Sequence, residues 1–258
     1  MPLRPEDPAV PDDVTQDHYD RLAATYDENW AYDQDFVEWM TGCILQRLRI
    51  TAGDVVADIG CGTGLFARGL AQHAGAVVCV EPSAAMLAQV PADDRLIPVR
   101  ASAEDMATGR VALPHDRYDA VLLKEVLHHV EDRAAVITGL TRLLRPGGRM
   151  LVAMLPTRIS YPLFGAALKL FTDRQLDPAD VAEEMRSAGL EAELSYDSFP
   201  LSYPAERYLG MVRDRYMSLL SYFDDAQLEA GVAEIQRAHP GERVEFTDTF
   251  TFILGTAA

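Results

Sequence analysis

The sequence predicts an α/β fold in which a mainly parallel sheet carries helices on both faces. Short apolar, β-branched runs with the length of buried strands recur along the chain. Helical patterns with apolar residues three and four positions apart separate these runs. The 258 residues are enough for one such domain with a substantial core. Alternation of strands and helices is typical of a parallel sheet covered by helices.

The elements follow in order along the chain. A helical region at 14–28 and an amphipathic helix at 35–49 precede the sheet. Five strands are then predicted, at 55–59, 76–80, 96–99, 120–123 and 150–155. The helix after the first strand extends to about residue 73, and Pro146-Gly147-Gly148 breaks the helix before the fifth strand. The remaining predictions are an apolar insert at 156–175, a helix at 177–188, a strand at 190–199, helical patterns at 204–239 and a final strand at 244–254.

These elements form one domain. We predict a mobile leader at 1–13, rich in proline and acids, and a single domain at 14–258 with lid inserts at about 156–175 and 200–240. No apolar stretch approaches the length of a membrane span. Three cysteines without paired spacing favour a reduced, cytoplasmic protein, and none has metal-site spacing.

The net charge of −17 limits the class of partner. It arises from 23 Lys and Arg against 40 Asp and Glu. Binding to a phosphate backbone needs a basic face, and only short basic clusters occur, so nucleic acid and anionic membranes are not expected as partners. A negative field suits a cationic cofactor, although solubility alone explains the acidity equally well.

The most informative segment is 55–64, an apolar strand that ends in an acid and three alternating glycines. Gly60, Gly62 and Gly64 predict a turn where the backbone approaches a ligand closely, with Asp58 beside it. Thr63 is a candidate N-cap for the next helix. The pattern therefore indicates a small-molecule site, although a generic strand-to-helix turn remains an alternative.

A dinucleotide site is a second alternative. Residues 62–67 fit G-x-G-x-x-G/A, and Glu81 lies near the expected spacing of about 20 residues. However, a carboxylate at Asp58 would repel a pyrophosphate and attract an amino group or a positive centre. With these residues, segment 55–81 resembles the first motifs of class I S-adenosylmethionine-dependent methyltransferases, and the likeness extends over about 15–155.

The resemblance implies a Rossmann-like class I methyltransferase fold, a seven-stranded mostly parallel sheet whose last strand is antiparallel. It also implies S-adenosylmethionine as cofactor and S-adenosylhomocysteine as product. The three glycines would contact the methionine part, Asp58 would bond near its amino group, and Glu81 would accept both ribose hydroxyls. Further cofactor residues implied by the family are Pro82, Met86, Ser102, Ala103, Glu104 and Lys124.

Some of these roles have alternatives. Pro82 and Met86 would flank the adenine. Many family members have an Asp that contacts the adenine amine. Ser102 occupies that position here, so the contact would be made by Ser102 or by Glu104. Lys124 would lie beside the cofactor, or be a surface lysine whose stem packs while its ammonium reaches water.

Segment 18–27 resembles the tyrosine-bearing lid helix of small-molecule methyltransferases. Tyr19 and Tyr26 are seven positions apart and so share a helical face, where their rings would either attract a sulfonium or pack in the core. His128 and His129 follow the fourth strand at the ligand edge of the sheet. Either histidine is a candidate general base or a structural hydrogen-bonding residue. Side chains of adjacent residues on a helix point about 100° apart, so at most one of them, His128, would face the substrate.

The aromatic and Met-rich inserts predict an apolar or aromatic small-molecule acceptor, with plain core packing as the alternative. Arg207, Arg213 and Arg215 would hold a substrate carboxylate or face solvent. The predicted function is methyl transfer from S-adenosylmethionine to an O, N or C atom. The alternatives are a methyltransferase-fold protein that binds the cofactor without transfer, as a cyclase or regulatory module, and an NAD-dependent oxidoreductase. The sequence does not indicate an oligomeric state.

Overall fold

The computed structural model describes residues 34–258, and its seven strands form one sheet in the order β3-β2-β1-β4-β5-β7-β6. Strands β1 to β5 pair in parallel, and β7 is antiparallel to both β5 and β6. This confirms the predicted seven-stranded sheet and its antiparallel last strand. The strands are β1 Val55–Ile59, β2 Ala76–Val80, β3 Leu96–Val99, β4 Tyr118–Lys124, β5 Leu144–Met154, β6 Leu190–Pro204 and β7 Arg243–Ala257.

Helices pack on both faces of the sheet, as the alternation predicted. Short 3₁₀ turns lie at Leu127–His129 and Ser218–Tyr222. The α-helices of the described residues are α1 Gln34–Leu48, α2 Ala67–Leu70, α3 Ala84–Leu87, α4 Ala103–Thr108, α5 Arg133–Thr141, α6 Gly165–Arg174, α7 Pro178–Ser187, α8 Ala205–Arg213 and α9 Asp225–Ala238.

The segment after β1 differs from the prediction. Helix α2 is only four residues long and does not extend to residue 73. Thr63 does not cap it: the N-cap position is Phe66, without a side-chain hydrogen bond. The helix begins only after the three glycines, because their left-handed backbone conformation is incompatible with a right-handed helix.

Strand β5 also begins earlier than predicted. It includes Pro146-Gly147-Gly148, which the sequence indicated as a break between helix and strand. The pairing register with β4 shifts between Tyr118 and Ala120, and Gly147 has a φ of 72°. The irregularity thus lies inside a strand, because a bulge absorbs the residues that do not fit the ladder.

The apolar core lies on both sides of the sheet. One cluster joins α1, α6, α8 and α9 to one face, and the other joins α5 and α7 to the opposite face. The long antiparallel pair β6–β7 continues past Met154, the last β5 residue paired with β7, which lies opposite Thr251. No helix within residues 34–258 has the length and apolar character needed to span a membrane.

Candidate functional site

The bend after β1 brings backbone to the carboxyl edge of the sheet. Gly60, Gly62 and Gly64 have φ of 67°, 57° and 76°, values that residues other than glycine rarely adopt. The N–H groups of Gly60 and Cys61 donate to the carbonyl of Val80, at 2.8 and 3.1 Å. The bend is therefore held against the end of β2, and the predicted close approach of backbone has a conformational basis.

Asp58 lies at the mouth of this bend. Its side chain is buried, and burial raises the pKa of the carboxyl to about 7, with the charge of Lys124 opposing and that of Glu81 adding to the increase. Within the described chain no hydrogen bond contributes to this pKa. A buried carboxyl without a donor is suited to receive one from a ligand.

Glu81 connects the first two strand ends. Its Oε2 accepts the N–H of Gly62 at 3.1 Å, and its Oε1 accepts the N–H of Ser83 at 2.9 Å. The carboxylate is buried and fixed in orientation by these two backbone donors. A carboxylate has about four lone-pair directions, so this residue type can accept hydroxyls as well as backbone donors.

Lys124 ends β4 between two aromatic rings. Its Nζ lies 4.9 Å from the centroid of the Phe66 ring and 5.2 Å from that of Phe250. Burial lowers its pKa, while the charges of Glu125, Asp248 and Asp58 oppose the decrease. The ammonium thus lies between two rings, near enough to Asp58 for its charge to lower the pKa of that carboxyl.

Glu125 turns the chain at this point. It has a φ of 56°, its N–H donates to the carbonyl of Ala153 at 2.9 Å, and its Oε1 accepts the N–H of Leu155 at 2.7 Å. Burial raises its pKa. A non-glycine residue in this conformation costs about 1–2 kcal/mol, and the two bonds to the end of β5 hold it there.

His128 and His129 lie on the 3₁₀ turn that follows. Their ring centroids are 4.0 Å apart, so the divergence expected for neighbours on an α-helix is wrong: the rings contact each other. His128 is exposed to solvent at the edge, yet desolvation by the surrounding protein and the charge of Lys124 lower its pKa to about 4. The imidazole is therefore neutral near pH 7, and its conjugate acid is too strong for an efficient base.

The other implied cofactor residues follow β2 and β3. Met86 is buried in α3, and Pro82 is exposed. Ser102 caps α4, its Oγ accepting the N–H of Asp105 at 3.1 Å, which leaves the hydroxyl one lone pair and its O–H for a ligand. Ala103 is buried and Glu104 half-buried in the first turn of that helix.

Several predicted residues are elsewhere. Tyr19, Tyr26 and the leader at 1–13 lie outside the described residues. Arg213 pairs with Glu229 and Arg215 with Asp225, both at 2.8 Å, so these arginines tie α8 and the following segment to α9. Arg207 lies 5.9 Å from the ring of Tyr203.

Sequence reasoning missed Asp248. This β7 carboxyl is fully buried, and burial raises its pKa to about 7. The sequence contains a signal for it, since Asp248 is a charged residue at a position where the alternation of the last strand predicts an apolar one. Among residues 34–258 no group of three or more His, Cys, Asp or Glu could hold a metal ion, and all three cysteines are free.

Comparisons with known proteins agree with this geometry. The family model "Methyltransferase domain" matches residues 57–152, from β1 to β5. A probable S-adenosylmethionine-dependent methyltransferase of Mycolicibacterium smegmatis is 34% identical over 155 residues, which are 58% of this chain and 57% of that one. The chain thus spans little more than half of that relative's length. A ubiquinone biosynthesis O-methyltransferase of Pseudomonas paraeruginosa is 29% identical over 184 residues, covering 63% of this chain and 75% of that one.

A solved structure shows that the likeness in fold extends beyond the matched domain. The structure of the (4+2) cyclase SpnF matches with a TM-score of 0.64 at 18% identity, covering 98% of this chain and 99% of that one. Identity this low shows a common fold alone. The matched domain at residues 57–152 and the relatives named above therefore show that this chain is similar to S-adenosylmethionine-dependent methyltransferases.

Proposed function

We propose that this protein transfers the methyl group of S-adenosylmethionine to an apolar or aromatic small molecule, at an oxygen atom. The observation that carries the proposal is the link between Glu81 and Gly62, which holds a buried carboxylate against the glycine bend. Oxygen as the acceptor atom is supported by the O-methyltransferase named among the relatives.

The residues at the sheet edge fit this cofactor. Asp58, a buried carboxyl whose pKa is affected by no hydrogen bond from residues 34–258, would face an amino group, and the Glu81 carboxylate would accept two vicinal hydroxyls. Pro82 and Met86 would flank the adenine, and the Ser102 hydroxyl or the Glu104 carboxylate in the first turn of α4 would contact its amine.

The bound cofactor would supply a methyl group already activated by a positive sulfur. Catalysis by the chain is then mainly positioning and exclusion of water, since no further activation of the leaving group is needed. The bend and the two carboxylates would orient the cofactor, while Lys124 keeps local charge balanced beside Asp58. The pKa of His128, lowered to about 4, favours a role in contact with the substrate over proton removal.

The proposal extends to the segments that would cover the site, to the domain and to its partners. The inserts at about 156–175 and 200–240 would cover the acceptor, and Tyr19 and Tyr26 would close the cofactor side. We also propose a single domain at 14–258 in the cytoplasm, with no nucleic acid or membrane as partner. These follow from composition and from the family, not from contacts.

Titration calorimetry tests the cofactor assignment. Wild-type protein should bind S-adenosylmethionine and S-adenosylhomocysteine, and Glu81→Gln should weaken that binding at least about tenfold, because it loses charge-assisted bonds to the ribose. Glu191→Ala, which removes an exposed acid on β6, is the matched control and should change nothing. Tight NAD(H) binding without a signal for S-adenosylmethionine would reverse the assignment.

Transfer itself is tested with a radiolabelled methyl group. Label should move from the cofactor to members of a panel of hydroxylated aromatic compounds. Label that never leaves the cofactor, in a protein that binds it, would instead support a binding module without transfer.

A further inference from the structure

Asp248 breaks the apolar face of β7. Alternate residues on this strand, Val244, Phe246, Phe250 and Phe252, turn aromatic and aliphatic side chains to the core, and Asp248 occupies the middle of the series. It is 0% exposed, and neither carboxylate oxygen has a hydrogen-bond partner within the described chain. Burial of a polar group without partners destabilises a fold, so Asp248 needs a donor that residues 34–258 do not supply.

The position of Asp248 follows from the sheet register. Lys124, the last residue of β4, pairs with Ala153, which pairs with Phe252 on β7. Because β7 is antiparallel to β5, residues before Phe252 extend beyond the carboxyl edge of the parallel strands. Asp248 therefore lies beyond the edge that carries Asp58 and Glu81, on the same face as Phe250, whose ring contacts the Lys124 ammonium.

Tyr208, which lies near this carboxyl, belongs to a cluster of aromatic residues. The hydroxyls of Tyr208 and Tyr216 are 3.2 Å apart, and the ring of Tyr208 packs 5.8 Å from those of Tyr203 and Phe246. Asp248 is near enough to Tyr208 for its charge to help raise the pKa of that phenol.

The groups that affect the pKa of Asp248 lie at the end of β4 and in the insert after β5. Burial raises its pKa to about 7; the Tyr161 hydroxyl and the Lys124 charge oppose the increase, and Glu125 adds to it. The Tyr161 hydroxyl is close enough to affect the pKa but makes no hydrogen bond of normal geometry to either oxygen. Asp248 is thus a buried carboxyl beside tyrosine rings and hydroxyls, with Lys124 and Glu125 at the nearby end of β4.

We infer that Asp248 is the residue that accepts a hydrogen bond from the hydroxyl group of the methyl acceptor, with the tyrosines of α8 and the segment after it packing against an apolar or aromatic body. The inference rests on the proposed function and adds the acceptor class: an apolar or aromatic molecule that carries a hydroxyl. A donor on the ligand satisfies the buried carboxyl, while the aromatic walls contact the remainder of the molecule.

A matched pair of probes tests this assignment. Protein saturated with S-adenosylhomocysteine is titrated with 4-propylphenol and with 4-propylanisole, which differ by the methylated hydroxyl. Wild type should bind the phenol at least about tenfold more tightly, because the ether cannot donate to the carboxylate. Asp248→Asn should reduce this preference to about threefold or less, since an amide is a weaker acceptor than a carboxylate.

Two further measurements separate this role from a structural one. Asp248→Asn should keep its affinity for S-adenosylhomocysteine and melt at the wild-type temperature or above, because it removes an unsatisfied buried acid. Glu245→Gln, on the exposed face of the same strand, is the control and should keep the phenol preference.

Each contrary result has one meaning. Wild type that does not bind S-adenosylhomocysteine overturns the proposed function. Cofactor binding without any phenol preference, including no binding of either probe, overturns the role of Asp248. The same holds if Asp248→Asn keeps the preference or melts well below wild type.

Discussion

Cofactor affinity should depend on pH through the Asp58 carboxyl. Burial raises its pKa to about 7, so this group is largely protonated in the free protein below neutrality. An amino group bound beside it favours the ionised form, so binding must release the proton. Affinity therefore rises with pH up to the raised pKa and levels off above it.

The magnitude follows from the fraction of Asp58 that is ionised. With a pKa of about 7, that fraction falls from about three quarters at about pH 7.5 to about 3% at about pH 5.5, so affinity should fall roughly twentyfold. The α-amino group of the ligand remains cationic over this range, since its pKa is near 8. The stability of the free protein has the opposite sign: a carboxyl with a raised folded pKa loses stability as pH rises from about 4 to about 7.

Titration calorimetry of S-adenosylhomocysteine, in two buffers of different ionisation enthalpy, measures both the affinity and the released proton. Asp58→Asn should bind weakly with little dependence on pH. Asp94→Asn, which changes an exposed acid, should retain the wild-type slope. Wild-type affinity that is constant over the range, or an Asp58→Asn variant with the full slope, would refute the reasoning.

Three further predictions concern the same edge of the sheet. Gly60→Ala should lower the melting temperature and weaken cofactor binding, because φ is 67° and the new Cβ would lie 2.4 Å from Val126 Cγ2. Adding Val126→Ala removes the clash but not the backbone strain, so it should restore only part of the loss. Full restoration would show that the backbone conformation does not contribute. Lys124→Met should move the midpoint of the pH-dependent affinity upward, since the lysine charge lowers the pKa of Asp58, and an unmoved midpoint would contradict that coupling. His128→Ala should lower turnover about tenfold with nearly unchanged cofactor affinity, and turnover should show no His128 titration near pH 6.5, because the pKa is about 4. Loss of cofactor affinity in this variant would make His128 a cofactor residue.

The strand pattern and the cofactor edge were predictable because their signals are local. Strands β1, β2 and β3 have the predicted bounds, since short apolar runs between turn residues specify buried parallel strands. Glu81 was identified from its spacing after the glycines, and it contacts Gly62 in the fold. The capping role of Thr63 was wrong because cap chemistry depends on where the bend ends, which the residue types alone do not determine.

The sequence by itself determined the sheet of parallel strands, the glycine bend and the acids at its first two strand ends, because strand periodicity and backbone freedom are properties of neighbouring residues. Only the tertiary structure decided how the charges at that edge interact. Lys124 lies between two rings, and Asp58 and Asp248 have their pKa raised to about 7, because burial and distances to groups far apart in sequence set these values. The same is true of Asp248 itself, which an antiparallel strand carries past the edge that the first strands form.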